Sequence, residues 1–214
     1  MEDLTRLGHR LAAMAQNGLH YDNDPYAVDR WTSLLKVAAA LLAGDVGGAA
    51  TADAESLAVA LAQQEGHATP KVDVRGVCTD RSGRMLLVRE VADGLWCLPG
   101  GWAEPALTPS ASVVKEVAEE AGLAVRVERV LGVLDRALAP GVPPHAYPIY
   151  KLFFACTVIG PVRRGTTMDE VETDAVGWFD LDDLPPMSAG RTHPDQLARI
   201  RPLLADPTLP AVFD

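Results

Sequence analysis

The sequence has only three cysteines, Cys78, Cys97 and Cys156. They are far apart, and none has a Cys or His neighbour at the spacing that is typical of zinc sites. Each stands in an apolar stretch of the kind that forms a β-strand. We therefore expect three buried free thiols rather than a zinc centre.

Long hydrophobic runs and an excess of positive charge are also missing. The longest aliphatic run near the start covers residues 37–43, far fewer than the ~20 residues that span a bilayer. The opening MEDLTRLGHR shows no secretory signal, so we expect a cytoplasmic protein without a membrane partner. The 19 basic and 29 acidic side chains give a formal charge of −10, which argues against stable binding to nucleic acid. An anionic substrate would have to be bound locally, through a metal and a few cations.

The spacing of apolar residues changes from helical to alternating near residues 66–70, and we take this as a domain boundary. Residues 4–14, 26–42 and 54–64 carry apolar side chains at helical spacing, without any strand signal. A length of 214 residues accommodates one ordinary domain and a small one. We therefore predict an all-helical N-terminal domain over 1–66 and a second domain over 67–214.

The second domain shows short alternating runs that indicate strands. MLLVRE follows a turn at residues 80–83, and longer runs cover 125–134, 149–159 and 175–181. Thr192 or His193 could begin a final helix that runs to about Leu204, with Pro194 in its first turn. Strands surrounding helices predict an α/β fold, arranged as an α/β/α sandwich.

The stretch LPGGWAEPALTPSASVVKEVAEEAGL, residues 98–123, is the most informative part of the sequence. Thr108 can cap a helix, and Pro109 suits the first helical turn. Gly122 suits the exit at the other end. These signals predict a helix over residues 109–121, directly after a glycine turn.

Glu116, Glu119 and Glu120 share one face of this predicted helix. Like charges at that spacing repel one another by ~0.2–0.5 kcal/mol per contact on a solvated helix. A hard divalent cation would turn the repulsion into coordination, because Mg²⁺ binds carboxylates, backbone carbonyls and phosphate oxygens. The alternative is that KEVAEE forms an ordinary solvated helix face. The glycine turn that precedes the helix favours the metal site.

The glycine turn and the helix together resemble the Nudix box, whose pattern is G-x5-E-x7-R-E-U-x-E-E-x-G-U with U an aliphatic residue. Counted from Gly101, the pattern spans 23 positions, and seven of its nine specified residues are present. The matching residues after Gly101 are Glu116, Val117, Glu119, Glu120, Gly122 and Leu123.

Two positions depart from the pattern, because Leu107 replaces an acidic residue and Lys115 replaces an arginine. In the family these two residues can pair and support the metal helix. The changes permit two interpretations: an apolar contact at Leu107 has replaced the ion pair, or the enzyme is impaired or respecialised.

Further segments resemble a Nudix subfamily that carries a short helical N-terminal domain. They include HYDNDPYAVDRW, DGLWCLPGGWAE, PPHAYPIYKLFFAC and ETDAVGWFDLDDLPPMSAGRT. The resemblance implies hydrolysis of a nucleoside diphosphate linked to X, such as ADP-ribose, CDP-choline or a UDP-sugar. The apolar residues crowded into 34–42 need a partner surface, which we expect to be a homodimer interface because many Nudix hydrolases are dimers. Packing on the second domain of the same chain is the alternative.

The resemblance implies specific metal ligands, with Mg²⁺ or Mn²⁺ as the cofactor. Glu116 and Glu120 would bind the metal directly, Glu119 would serve a second ion or act in catalysis, and the Gly100 carbonyl would be the backbone ligand. Lys115 would pair with a glutamate of its own helix and hold it in place.

The water nucleophile needs a base, which the family takes from the box or from a later loop. The loop residues that fit are Glu170 and Glu172, and Glu172 matches the subfamily pattern better. Either could instead be an ordinary exposed loop acid.

Arginine suits bidentate phosphate recognition, so Arg89 and Arg191 are phosphate-binding candidates, with surface salt bridges as the alternative. Trp96 and Trp102 flank the glycine turn. Either could stack on a base or ribose, or pack in the core.

These residues predict metal-assisted attack of water on the diphosphate bridge, which yields a nucleoside monophosphate and phosphorylated X. Two alternatives remain open at this point. One is a pyrophosphohydrolase that removes modified nucleoside triphosphates. The other is a nucleotide-sensing module without turnover.

Overall fold

The computed structural model describes residues 4–44, 52–142, 145–162 and 172–214. The chain forms two compact units. The first comprises Met1–Lys71 together with Pro143–Pro148, and the second comprises Val72–Val142 together with Ile149–Asp214. The units divide after Lys71, and a segment distant in sequence belongs to the helical unit. The domain boundary between residues 66 and 67 stays a prediction.

Hydrogen bonds explain why this distant segment joins the first unit. The Lys71 backbone N–H donates to the Pro148 carbonyl at 2.9 Å. The His9 Nε2 atom lies 2.8 Å from the His145 carbonyl oxygen. Contacts of this kind join residues far apart in the chain, so composition could not reveal them.

The first unit contains three helices, α1 (Leu4–Tyr21), α2 (Pro25–Leu42) and α3 (Ala52–Ala62). Asp24 caps α2 by accepting a hydrogen bond from the Ala27 N–H at 3.0 Å, as expected for an aspartate at this position. Small and aliphatic side chains form its core, among them Ala12, Ala15, Leu35, Ala38, Ala39, Leu42 and Leu61. No helix in the described ranges is both long and apolar enough to cross a membrane. A cytoplasmic location stays a prediction.

The second unit contains two sheets flanked by helices. One sheet has the strand order β1-β5-β4-β7 and the other has the order β3-β2-β6. The elements are β1 (Lys71–Cys78), β2 (Met85–Glu90), β3 (Trp96–Cys97), α4 (Pro109–Ala121), β4 (Leu123–Asp135), a 3-10 turn (Arg136–Leu138), β5 (Ile149–Pro161), β6 (Thr173–Phe179), α5 (Pro194–Ala205) and β7 (Val212–Phe213).

The two helices α4 and α5 pack on separate cores of this unit. Val113 and Val117 of α4 join a buried cluster with Val74 and Phe154. Side chains of α5 join a second cluster, which includes Val77, Leu87, Leu98, Leu131, Phe153, Leu197 and Ile200. The predicted α/β/α sandwich is thereby confirmed.

The strand β1 is buried on both faces from Asp73 onward. Asp73 is 6% exposed and Arg75 is 1% exposed, although both are charged. Arg75 donates to both carboxylate oxygens of Asp73, at 2.8 and 2.6 Å. This bidentate pair allows both faces of the strand to be buried. The cysteines are free and buried, as predicted.

Candidate active site

The glycine turn lies along β1, where backbone hydrogen bonds fix its position. The Gly76 N–H donates to the Pro99 carbonyl, and the Val74 N–H donates to the Gly101 carbonyl, each at 2.8 Å. Gly100 has a φ of +144°, and a Cβ atom there would lie 2.0 Å from the Val74 carbonyl oxygen. Only glycine allows so close an approach.

The residue that begins this turn, Leu98, is held at both of its backbone groups. Its N–H donates to the buried Thr192 hydroxyl at 3.1 Å. Its carbonyl accepts a hydrogen bond from Arg75 Nη1 at 3.1 Å. The turn is therefore fixed from β1 and from the segment before α5, which is the preorganisation that a catalytic loop needs.

Helix α4 brings two carboxylates against the turn. The helix begins at Pro109 and ends at Ala121, with Thr108 and Gly122 as its caps, as the sequence predicts. The Gly100 N–H donates to Glu120 Oε2 at 2.7 Å. A Cβ on Gly101 would lie 3.0 Å from a carboxylate oxygen of Glu116. The backbone of the turn and these two side chains thus form one site.

Both carboxylates are destabilised as anions by their surroundings. Burial raises the pKa of Glu120 to about 8, although Arg75 and the Gly100 N–H oppose this shift. Burial also raises the pKa of Glu116 to about 7, against the influence of Lys115 and Arg75. The Glu116 carboxylate adds to the shift at Glu120. A cation between them would reverse these effects, because positive charge favours ionised carboxylates.

The third predicted ligand, Glu119, is engaged elsewhere. Its carboxylate forms an ion pair with Lys115. Lys115 Nζ also lies 3.0 Å from Glu104 Oε1, whereas Leu107 is 40% exposed. Lys115 therefore has an acidic partner outside position 107, and the two interpretations of Leu107 stay predictions. The supporting acid is present three positions earlier, at Glu104.

The predicted base Glu172 lies near this site, at the start of β6. It is exposed, and its charge contributes to the raised pKa of Glu116. Its backbone carbonyl accepts a hydrogen bond from Val91 at 2.8 Å. The other loop residue, Glu170, lies outside the described residues.

Glu90 is a site residue to which the sequence analysis gave no role. It is 4% exposed, and its charge contributes to the raised pKa of Glu120. The Cys97 thiol donates to its Oε1 at 3.1 Å, and Arg191 Nη2 lies 3.2 Å from its Oε2. The alternation of MLLVRE was the missed signal, because Glu90 shares a strand face with Leu86 and Val88.

The remaining predicted residues have different surroundings. Arg191 forms an ion pair with the buried Glu90, and its side chain is 43% exposed. Arg89 is exposed and forms a bidentate pair with Asp174, at 2.7 and 2.9 Å. Trp102 is 49% exposed and follows the glycine turn. Trp96 packs edge to face against Phe179, with ring centroids 4.6 Å apart.

The donor set fits a hard divalent cation, although it is smaller than predicted. In the described part of the chain, no three Asp, Glu, His or Cys side chains form a group that could hold a metal ion. Glu116 and Glu120 are two such side chains beside a fixed backbone turn. Carboxylate oxygens completed by a carbonyl, waters and substrate oxygens are the ligands that Mg²⁺ accepts.

Two family models match this chain. The NUDIX domain matches residues 69–200. A model described as a UDP-X-like, N-terminal oligomerisation domain matches residues 2–53. Both of the predicted domains thus have counterparts among known families.

Individual relatives are similar over most of the chain. The YjhB protein of Bacillus subtilis strain 168, provisionally named an ADP-ribose pyrophosphatase, is 37% identical over 205 residues, which cover 96% of this chain and 94% of that protein. An ADP-ribose pyrophosphatase structure from Streptococcus suis 89-1591 is 37% identical, with a TM-score of 0.58, and covers 68% of this chain and all of that one. A UDP-X diphosphatase structure is 26% identical, with a TM-score of 0.60, and covers 99% of this chain and 98% of that one.

Proposed function

This chain belongs to the Nudix family, and on that premise we propose that it hydrolyses the diphosphate bridge of a nucleoside diphosphate linked to X. The products are a nucleoside monophosphate and phosphorylated X. The observation that carries this proposal is the pair of carboxylates, Glu116 and Glu120, seated against the fixed glycine turn.

We infer that Mg²⁺ or Mn²⁺ binds between these carboxylates and the Gly100 carbonyl. When bound, such an ion would lower the pKa of the attacking water and neutralise charge on the leaving phosphate. Glu119 can contribute to a second ion only by releasing Lys115, so we place it as a secondary ligand or acid-base group.

The chain's own residues supply phosphate recognition and proton transfer. Arg191 has an exposed guanidinium that is anchored through the buried Glu90, and its free face suits a phosphate oxygen. Glu172 lies where its carboxylate influences Glu116, which supports a role as the base that accepts the proton of the attacking water. Trp102 offers a half-exposed ring for stacking on the nucleotide.

Arg89 is a weaker phosphate-binding candidate than Arg191. Its guanidinium is occupied by Asp174 on both carboxylate oxygens. Binding a phosphate would require it to give up this pair, whose partner would lose its cation. We therefore assign Arg191 as the principal phosphate contact.

The names of the similar proteins favour two substrate classes. The B. subtilis and S. suis proteins are named for ADP-ribose, and the other structure is named for UDP-X. We propose ADP-ribose as the first compound to test, and UDP-sugars and CDP-choline as the next.

We also propose a homodimer formed through the helical unit. The match to an oligomerisation domain supports this proposal. So do apolar side chains that are exposed on all three helices, among them Leu4, Met14, Tyr21, Tyr26, Val37 and Val59. Exposed groups of this kind are typical of surfaces that bind a partner.

One assay tests the function. Full-length protein is incubated with Mg²⁺ and a nucleotide panel, and the products are resolved by chromatography. Monophosphate with phosphorylated X supports the proposal. Release of pyrophosphate from triphosphates would instead indicate a pyrophosphohydrolase of modified nucleoside triphosphates. Binding without turnover would indicate a nucleotide-sensing module.

A further inference from the structure

Lys151 is a buried cation that the proposed mechanism does not use. It lies on β5 and is 2% exposed. Its Nζ atom donates to the Gly190 carbonyl at 3.2 Å and also to the Arg191 carbonyl. Arg136 donates to the same Gly190 carbonyl at 3.3 Å. Two cationic side chains therefore hold the backbone at residues 190–191.

These two carbonyls belong to a tight turn at residues 188–192. The Arg191 and Thr192 N–H groups both donate to the Ser188 carbonyl, at 2.9 and 2.7 Å. Thr192 also accepts the Leu98 N–H of the glycine turn at 3.1 Å. The backbone that Lys151 holds is thus the backbone that carries Arg191 and contacts the catalytic loop.

The side chain of Arg191 leaves this turn toward the carboxylates. Its Nη2 atom lies 3.2 Å from Glu90 Oε2. A guanidinium on a long side chain keeps such a position only if its backbone is fixed, because each free rotation spreads the group over several positions. The carbonyl contacts of Lys151 provide that fixed base.

The position of Lys151 is unfavourable for stability alone. Burial, together with the neighbouring Arg75 and Arg136, lowers its pKa to about 7, whereas Asp73 acts in the opposite direction. Burying a charged group costs free energy unless hydrogen bonds and an opposite charge compensate for it. An apolar side chain would nevertheless lose both hydrogen bonds to the turn.

We propose that Lys151 is a positioning residue that holds the turn at residues 188–192, so that Arg191 meets the substrate phosphate beside Glu90. The phosphate contact of Arg191 in this proposal rests on the proposed function. The part that concerns the turn itself is independent of any activity.

The first experiment compares Lys151→Met with Phe153→Leu in the full-length protein. Both positions lie in the buried part of β5, but Phe153 packs in the core, and its phenyl side chain cannot donate a hydrogen bond to the turn. Steady-state kinetics with ADP-ribose and Mg²⁺ should give Lys151→Met a KM that is about tenfold higher, with kcat within about twofold. Phe153→Leu should leave KM unchanged even where it lowers the melting temperature equally.

The second measurement asks whether Lys151 acts through Arg191. Added to Arg191→Ala, Lys151→Met should change KM by less than about twofold, because the group that it positions is already absent. An unchanged KM in the single variant would overturn the proposal. A full tenfold increase in the Arg191→Ala background would also overturn it.

Limited proteolysis tests the turn without any catalysis. Trypsin cuts after arginine, so cleavage between Arg191 and Thr192 reports how firmly the turn is held. We expect cleavage at this bond to be at least about fivefold faster in Lys151→Met than in Phe153→Leu, under conditions where both remain folded. Equal rates would overturn the proposal. If cleavage is faster in Lys151→Met but the wild-type protein does not hydrolyse ADP-ribose, the role of Lys151 in holding the turn is supported. Only ADP-ribose as the substrate is then rejected.

Discussion

Lys115 Nζ lies 3.0 Å from Glu104 Oε1, across the loop that leads into helix α4. The same ammonium group pairs with Glu119 on the next helical turn. Lys115 therefore connects the loop to helix α4, although position 107, where the Nudix pattern has an acidic residue, is a leucine. The two departures from the Nudix pattern leave the ion pair in place.

This arrangement predicts coupling between Glu104 and Lys115. Glu104→Gln and Lys115→Met should each lower activity, and the double variant should be no worse than the more impaired single variant. The pair is partly exposed, so its effect on unfolding should stay at or below about 1 kcal/mol. Kinetics and chemical denaturation provide the two measurements.

Leu107 provides the control for this comparison of single and double variants. Leu107→Gln in combination with Lys115→Met should give additive effects, because Leu107 is exposed and is not the partner of Lys115. If Leu107 couples to Lys115 as strongly as Glu104 does, our account of the loop is wrong.

Glu120→Gln should separate catalysis from stability. Gln keeps an oxygen that can accept the Gly100 N–H but removes the anionic ligand, so turnover at saturating Mg²⁺ should fall by on the order of 10³-fold or more. The melting temperature without metal should be unchanged or higher. Glu119→Gln on the same helix removes a carboxylate that is already paired with Lys115, so we expect a smaller loss of activity than for Glu120→Gln. Near wild-type rates for both Glu116→Gln and Glu120→Gln would disprove the metal assignment.

The stability of Glu120→Gln should also depend on pH in a specific direction. Burial raises the pKa of Glu120 from 4.5 to about 8 in the folded protein. Between about pH 4.5 and pH 8 the folded chain keeps the proton of Glu120, whereas the unfolded chain has lost it. The free energy of unfolding of the wild type is therefore highest below about pH 4.5 and falls as pH rises through about 8. Without metal, Glu120→Gln should therefore gain stability relative to the wild type across this interval. Chemical denaturation at several pH values measures the difference, and parallel curves would contradict the prediction.

The protonation of Lys151 should make the free energy of unfolding change with pH in the opposite direction. Burial lowers its pKa from 10.5 to about 7, so the unfolded chain holds the proton more tightly than the folded chain does. The free energy of unfolding should rise with pH between about 7 and 10.5, by at most ~1.4 kcal/mol per unit. Denaturation of wild type and Lys151→Met near pH 7 and pH 9 should show the wild type gaining relative stability. A pH-independent difference would mean that Lys151 keeps its ordinary pKa.

The full-length protein should be a dimer at micromolar concentration. The helical unit matches an oligomerisation domain and exposes apolar side chains on each helix, so burying them between two copies is favourable. Static light scattering or sedimentation velocity measures the mass directly. A protein that stays monomeric at these concentrations would disprove the proposal. The second unit should be studied within the whole chain, because residues 143–148 belong to the helical unit.

Local sequence signals account for the parts of the site that were predicted. Helix α4 has its predicted bounds because Thr108, Pro109 and Gly122 act within one turn of its ends. The shared face of Glu116 and Glu120 follows from helical spacing alone. The glycine turn could be predicted as well, since only glycine adopts the backbone of Gly100 so close to β1.

The sequence by itself therefore determined the family, the helical N-terminal region, the bounds of helix α4 and the shared face of its carboxylates, because each depends on residue types at short and fixed spacing. Tertiary structure alone decided which charges meet. Glu90 joins Arg191, Lys151 holds a turn 40 residues away, and residues 143–148 return to the helical unit. The partners in these contacts are distant in sequence, and long charged side chains can pair in many ways. Only the packing of the strands and loops selects one of them.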